Sequence, residues 1–380
     1  MFVGALWMML AQAVSGGEVP PAPDIVVRGE RAERALSNCL TRGCAVPDDV
    51  RLTMALAEAK FGQGRYRQAR TALDRSIARN RHAADQYPRH VAALYEASAT
   101  VNRHLGDMDA YRADIVGQAG VIRTNLAADD TQARILPILL GDSWLERGNR
   151  RQAMSSYDSA RRRYVAQGET RLAAIAGLRR VAVYVMERDA GQAQRELAAI
   201  GTYGQNDPVV GAVRAVLTAR IAALTGDDAA IDQLVATLRT GSNEPPMLLT
   251  TSPMPQSADM AAAEMRRTFG EPERGVWSSG GAPVRWVDVG YMVRPDGRVT
   301  DVEILRGTRS RGWADPYVQW IASRRYAPVT LAEGQPGVYR IERLTRRAKM
   351  ETPAGSLVRQ ATGPMGVEIL DLTRMETTKS

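Results

Sequence analysis

The chain has 380 residues, 44% of them hydrophobic and 24% charged, which is enough for two or three domains with separate cores. Its net charge is +8, yet only three lysines occur (Lys60, Lys349, Lys379), and the arginines are dispersed among 42 acidic residues with no basic run longer than three. That dispersion argues against nucleic-acid binding, whose footprint is a clustered patch.

Residues 1–13 of the N-terminal run MFVGALWMMLAQAV are uncharged and apolar, too short for a membrane-spanning helix, and end in the small-x-small pattern Ala11-Gln12-Ala13 of a signal-peptide cleavage site. No Lys or Arg precedes the run. Two readings stay open: a cleaved signal peptide with a periplasmic mature chain, or a retained inner-membrane anchor. No other segment reads as long and apolar enough to span a membrane. Residues 14–47, with Pro20, Pro21, Pro23 and Pro47, read as a flexible lead-in. Cys39 and Cys44 are the only cysteines. They suit a local disulfide in an exported chain, or two free thiols in a helix hairpin. His82, His90 and His104 are spaced 8 and 14 apart, which does not gather metal ligands on one helical face.

Residues 48–240 are helical and repetitive. Ala57, Phe61, Gly64, Tyr66, Ala69 and Leu73 form a helix, a Gly-led turn and a second helix. Gly141, Trp144, Gly148, Ala153, Tyr157 and Ala160 repeat that pattern, and Gly106 occupies the turn between them. The three glycines are 42 residues apart, and weaker units turn near Asp189 and Gly226. A fixed period marks a solenoid in which each unit buries its apolar face against its neighbours. This spacing resembles the tetratricopeptide (TPR) repeat, which implies a curved array with a concave groove for peptides or protein partners. Asp129-Asp130 and Asp227-Asp228 sit where helices begin, as capping residues do. Arg161-Arg162-Arg163 reads as a solvated helix face, with an acidic-partner site as the other reading.

Residues 241–282 form a Pro-rich linker that contains a short helix, Ala258–Phe269. Period-2 alternation follows at Val287, Val289, Tyr291 and Val293, then the turn Pro295-Asp296-Gly297-Arg298, then Val302 and Ile304 on one face of a returning strand. Trp313, Tyr317, Trp320 and Ile321 give a helical stripe, and residues 337–346 a third strand. The order is β-β-α-β. Pro295-Asp296-Gly297-Arg298-Val299, the strand Val302/Ile304/Leu305 and the closing Arg325-Tyr326-Ala327-Pro328 resemble the TonB C-terminal domain over residues 283–347, with Arg324 where that family usually has Trp. The fold class expected is therefore multi-domain: an α-helical TPR-like solenoid, then a small α+β (ββαβ) TonB C-terminal-like domain, then a tail, residues 348–380.

No nucleophile-elbow, P-loop, S-x-x-K or H-E-x-x-H motif occurs, so no enzyme, cofactor, metal site or small-molecule substrate is expected. The resemblance implies a periplasmic protein-interaction scaffold that engages extended segments, among them those of TonB-dependent outer-membrane receptors, by strand addition. The alternative is a membrane-retained TonB-type energy transducer or transport accessory, although the family's long anchor and Pro-rich spacer are not seen. A third reading has the β unit only capping the array, its edge covered by the tail. The working edge expected is the third strand, Val338, Tyr339, Arg340, Ile341, Glu342, Arg343 and Leu344. Asp24-Ile25-Val26-Val27-Arg28-Gly29 resembles the receptors' box-like segments, and either docks on that edge or packs on the first repeat.

Overall fold

Helix ends set the architecture. The computed structural model describes residues 25–238, 245–255, 284–309, 311–361 and 365–373. The leader 1–13 and the linker helix Ala258–Phe269 lie outside them. An N-terminal helix α1 (Ile25–Thr41) precedes five helix pairs: α2 (Val46–Gly62) with α3 (Tyr66–Asn80), α4 (Pro88–Leu105) with α5 (Met108–Asn125), α6 (Thr131–Glu146) with α7 (Arg150–Ala166), α8 (Thr170–Met186) with α9 (Ala190–Ala199), and α10 (Pro208–Thr225) with α11 (Asp228–Thr237).

Each pair turns on one left-handed residue: Gly64 (φ 73°), Gly106 (74°), Gly148 (79°), Arg188 (61°) and Gly226 (72°). Glycine adopts this conformation without a Cβ penalty, so glycine marks four of the five turns, and Arg188 holds the fifth. In four of the five turns the next residue caps the second helix. Asp107, Asn149, Asp189 and Asp227 accept the amides of Ala110, Gln152, Gln192 and Ala230 at 2.9–3.1 Å. Asp130 caps α6 in the same way. Within a pair the helices approach closely: a Cβ on Gly141 would lie 2.5 Å from the Tyr157 ring. Arg161 and Arg162 lie near Asp158, and Arg163 lies over the Tyr164 ring.

Two sequence expectations are corrected in the helical part of the chain. The lead-in is helical from Ile25, so the backbone of the box-like segment from Ile25 to Gly29 is helix and not strand. The prolines lie outside this stretch, and α1 as a whole packs against α2. Cys39 and Cys44 are bonded across the turn into α2. The second correction concerns α10, which is long and apolar enough to cross a membrane by length and composition. It carries Arg214 and Arg220, and Val210, Val213, Val216 and Leu217 pack into the array core.

The described residues after α11 form a small α+β unit. Its strands are β1 (Leu248–Thr250), β2 (Arg285–Val293), β3 (Val299–Gly307), β4 (Arg325–Tyr326), β5 (Val338–Arg347), β6 (Met350–Glu351), β7 (Gln360–Ala361) and β8 (Gly366–Asp371), with helix α12 (Asp315–Ala322). The main sheet is antiparallel in the order β3-β2-β5-β8. Val287, Val289, Tyr291, Val293 and Leu344 point to one face and pack under Tyr317, Trp320 and Ile321 of α12. The expected β-β-α-β order is present. The sheet, however, continues past residue 347 through β8, and β1 pairs with β4 from within the expected linker.

Candidate functional site

The hairpin turn and the closing segment are one assembly. Arg294 N–H bonds to Arg298 O, and the Asp296 carboxylate accepts Arg298 N–H at 3.0 Å. Gly297 has φ 80°, and a Cβ there would lie 2.1 Å from Tyr326 O. Tyr326 N–H bonds to Gly297 O, and Val329 N–H to Pro295 O. Glycine is thus required twice, for the turn and for the close approach of Arg325–Val329. Arg324 points inward. It makes a two-pronged ion pair with Glu342 (2.8 and 2.9 Å), donates to Tyr291 Oη, and lies 4.3 Å from the Trp320 ring centre. Burial pushes the Glu342 carboxyl up, but Arg324 outweighs it and holds the group below its ordinary range.

The expected working edge is not an edge. β5 lies between β2 and β8, with Glu342–Arg347 paired to Asp371–Gly366. Ile341 extends the ladder, accepting Leu372 N–H and donating to Thr373 Oγ1. Ile341, Glu342, Arg343 and Leu344 are buried, and Arg340 is ion-paired to Asp371 at 2.6 Å. Of the seven residues, Tyr339 alone is largely exposed, at 41%. The tail covers this side, as one sequence reading allowed. Among the described residues, β3 and β8 form the outer edges. They carry the same tetrapeptide, Val302-Glu303-Ile304-Leu305 and Val367-Glu368-Ile369-Leu370. That repetition is the signal by which β8 could have been found.

The sheet face away from α12 meets the helical array. Arg343 is fully buried. It binds Asp288 through Nε (2.6 Å) and Nη2 (2.8 Å), donates to Gly62 O (2.7 Å) and Phe61 O, and stacks 4.0 Å from the Trp286 ring centre. Phe61 and Gly62 end α2, and the last carbonyls of a helix have no partner within it. Arg343 therefore caps α2 from a different domain. Two more caps follow along the chain. Met350 N–H bonds to Gly106 O at the end of α4 (2.7 Å), and Lys349 Nζ to Glu146 O, the last residue of α6 (2.5 Å). Gly64 and Gly106 are contact points as well as turns. A Cβ on either would lie 2.1 Å from Trp286 or 1.9 Å from Ala348 O.

Charge is matched throughout this joint. Arg347 and Arg103 both bind Glu368, at 2.7 and 3.2 Å, and Arg103 also reaches Glu146 at 3.4 Å. Burial alone would push the Glu368 carboxyl up, but Arg103 and Arg347 hold it at about 2. Thr345 Oγ1 sits between His104 Nδ1 (2.9 Å) and Tyr66 Oη (3.2 Å), and burial pushes His104 down to about 3. At the far end, Ala327 N–H bonds to Met247 O beside β1, and Arg220 of α10 bonds to Leu249 O. The unit is thus fastened to both the first and the last helix pairs.

No protein-family model matches the chain, and no curated protein matches it. Among solved structures, the crystal structure of BtubC (BKLC) from P. vanneervenii is 16% identical, with a TM-score of 0.43; the match covers 57% of this chain and 89% of that one.

Proposed function

We propose that the chain is a non-enzymatic periplasmic interaction scaffold, in which a TPR-like array and a TonB C-terminal-like unit act as one recognition body for extended segments of partner proteins. The observation that supports this is the joint: buried ion pairs and three inter-domain helix caps hold a sheet with open edges at a set place on a repeat array. Such a body can hold one partner on the helices and pair another's backbone with a strand. With β8 seated on β5, the edges offered among the described residues are β3 and β8. Receptor segments of the outer membrane are the partner class that the resemblance suggests.

The test titrates the full chain with a labelled peptide of residues 20–32, and with peptides copied from receptor boxes. The same peptides with alternate backbone amides N-methylated serve as comparison, since methylation removes the donors that a ladder needs. Saturable binding lost on methylation is the expected result. Equal binding of both forms would show that strand addition is not the mode. Mass spectrometry of the mature N-terminus, with cleavage expected after Ala13, tests export. A second reading rests on β8 itself: a strand anchored through Glu368 to Arg103 makes the unit a permanent end-piece of the array.

A further inference from the structure

A cleft of about 550 Å³ lies where α11 meets the α+β unit, lined in part by Asp228, Asp232, Thr250, Arg298, Arg324 and Arg325. The Arg-bearing wall is the turn and closing segment described above, and the Asp-bearing wall is the first turns of α11. Opposite charges share this cleft, yet among the described residues no ion pair crosses it. Arg324 is committed to Glu342, and Arg298 lies 3.5 Å from Asp296. Asp228, Asp232 and Arg325 have no ion-pair partner among the described residues. Arg325 Nε is buried with no hydrogen-bond partner. Arg220, near Arg324, donates to Leu249 O at 3.4 Å and has no carboxylate partner among the described residues. Burial, and then the nearby Arg324, push its guanidinium down to about 10. Arg325 thus faces the cleft with no carboxylate, and α11 presents Asp228 and Asp232 one helical turn apart with no cation, among the described residues.

We propose that this cleft takes the C-terminal end of a partner peptide, its free α-carboxylate set on Arg325 and a basic side chain near the end set on Asp228 and Asp232. Guanidinium forks match carboxylates with two parallel hydrogen bonds, which gives geometric selection as well as attraction. The two aspartates disfavour a purely anionic ligand and favour a peptide end with both charges. The proposal rests on the scaffold reading above but concerns a chain end, whereas strand addition concerns an internal segment.

The test uses the full chain and fluorescein-labelled hexapeptides Ala-Ala-Ala-Lys-Ala-Ala, one with a free C-terminal carboxylate and one amidated, followed by anisotropy. The free acid is expected to bind at least tenfold more tightly than the amide. Arg325→Gln should erase that difference, and Asp228→Asn/Asp232→Asn should remove the preference for Lys over Ala at the fourth position. Equal affinity of acid and amide, or no binding of the free acid at millimolar peptide, overturns the proposal. Because the acid–amide comparison uses the unaltered protein, it does not depend on a variant's folding. Loss of binding by N-methylated internal segments, together with no acid–amide difference, would leave the strand-addition reading standing and remove this one.

Discussion

Replacing Arg343 with Met should loosen the α+β unit from the array. Asp288 is fully buried and receives Arg343 at 2.6 and 2.8 Å and Arg306 at 2.7 Å. After Arg343→Met it keeps Arg306 alone, and the carbonyl of Gly62 loses its cap, while Phe61 O keeps the Gly64 N–H at 2.8 Å. Removing one member of a buried pair costs about 3–5 kcal/mol. An unsatisfied buried carbonyl costs about 1–3 kcal/mol, and a desolvated cation–π contact contributes about 2 kcal/mol. These figures overlap, since they describe one side chain, and Met refills most of the volume. The net expectation is about 4 kcal/mol. Adding Asp288→Asn should recover part of it, because the stranded carboxylate is the costliest remainder. Urea unfolding followed by tryptophan fluorescence, with Trp286 at the joint, gives the free energy. Hydrogen exchange at residues 61–66 reports whether the α2 end has opened. A loss below about 1 kcal/mol, with unchanged exchange there, would refute the view that Arg343 holds the two parts together.

His104 has a folded pKa of about 3, lowered from 6.5, so the stability gained from keeping it neutral is present above pH 6.5 and lost as pH falls through that value toward 3. Asp114 and Asp142, raised by burial to about 6, act oppositely between pH 6 and 4, so the His104 contribution is read as a difference: parent minus His104→Gln should fall by about 1.4 kcal/mol per pH unit between pH 6 and 4.5, and a flat difference would count against it. Gly148→Ala should cost about 1–2 kcal/mol, for positive φ alone, since nothing lies within 4 Å of its Cβ. Gly106→Ala should cost clearly more in the same thermal melts, because its Cβ would strike Ala348 O at 1.9 Å. Ending the chain after residue 364 should remove β8, free the β5 edge and leave Arg103 and Arg347 without Glu368. Faster exchange at Glu342–Arg347 is expected, and unchanged protection there would show that β8 does not hold the edge.

The array was legible because its turns use glycine, followed by a capping side chain in three of the four glycine turns; both signals survive in sequence without any knowledge of packing. The hairpin was legible for the same reason, through Pro295-Asp296-Gly297-Arg298 and period-2 alternation. Strand neighbours were not. Alternation tells which residues share a face, and is silent on which strand lies beside which, so β5 read as an edge until β8 was placed beside it. β8 is six residues long and has no tight turn joining it to β5. β1 lies among the prolines of an apparent linker. Charged residues are seldom fully buried, so nothing in the sequence marked Arg343, Arg347 and Glu368 as a buried cluster. They are buried here because their partners are also charged, and lie on separate elements far apart in sequence.

That choice of residues follows from what the array presents. The helices α2, α4 and α6 each end toward the α+β unit, and each end bears unpaired carbonyls and the negative pole of a helix dipole. A neutral apolar sheet face would leave those groups buried and unsatisfied. A face carrying donors at alternate positions satisfies them: Arg343 at α2, then Lys349 at α6, with the amide of Met350 at α4. The excess cations of such a face need acids within it, and Asp288 and Glu368 lie on the sheet itself. The joint is therefore specified by geometry as much as by area. A shift of one residue in β5 would turn Arg343, Thr345 and Arg347 toward α12 and Leu344 toward the helix ends. Every cap would be lost at once, which is why the register of this strand, and not the identity of any single contact, fixes how the two parts sit together.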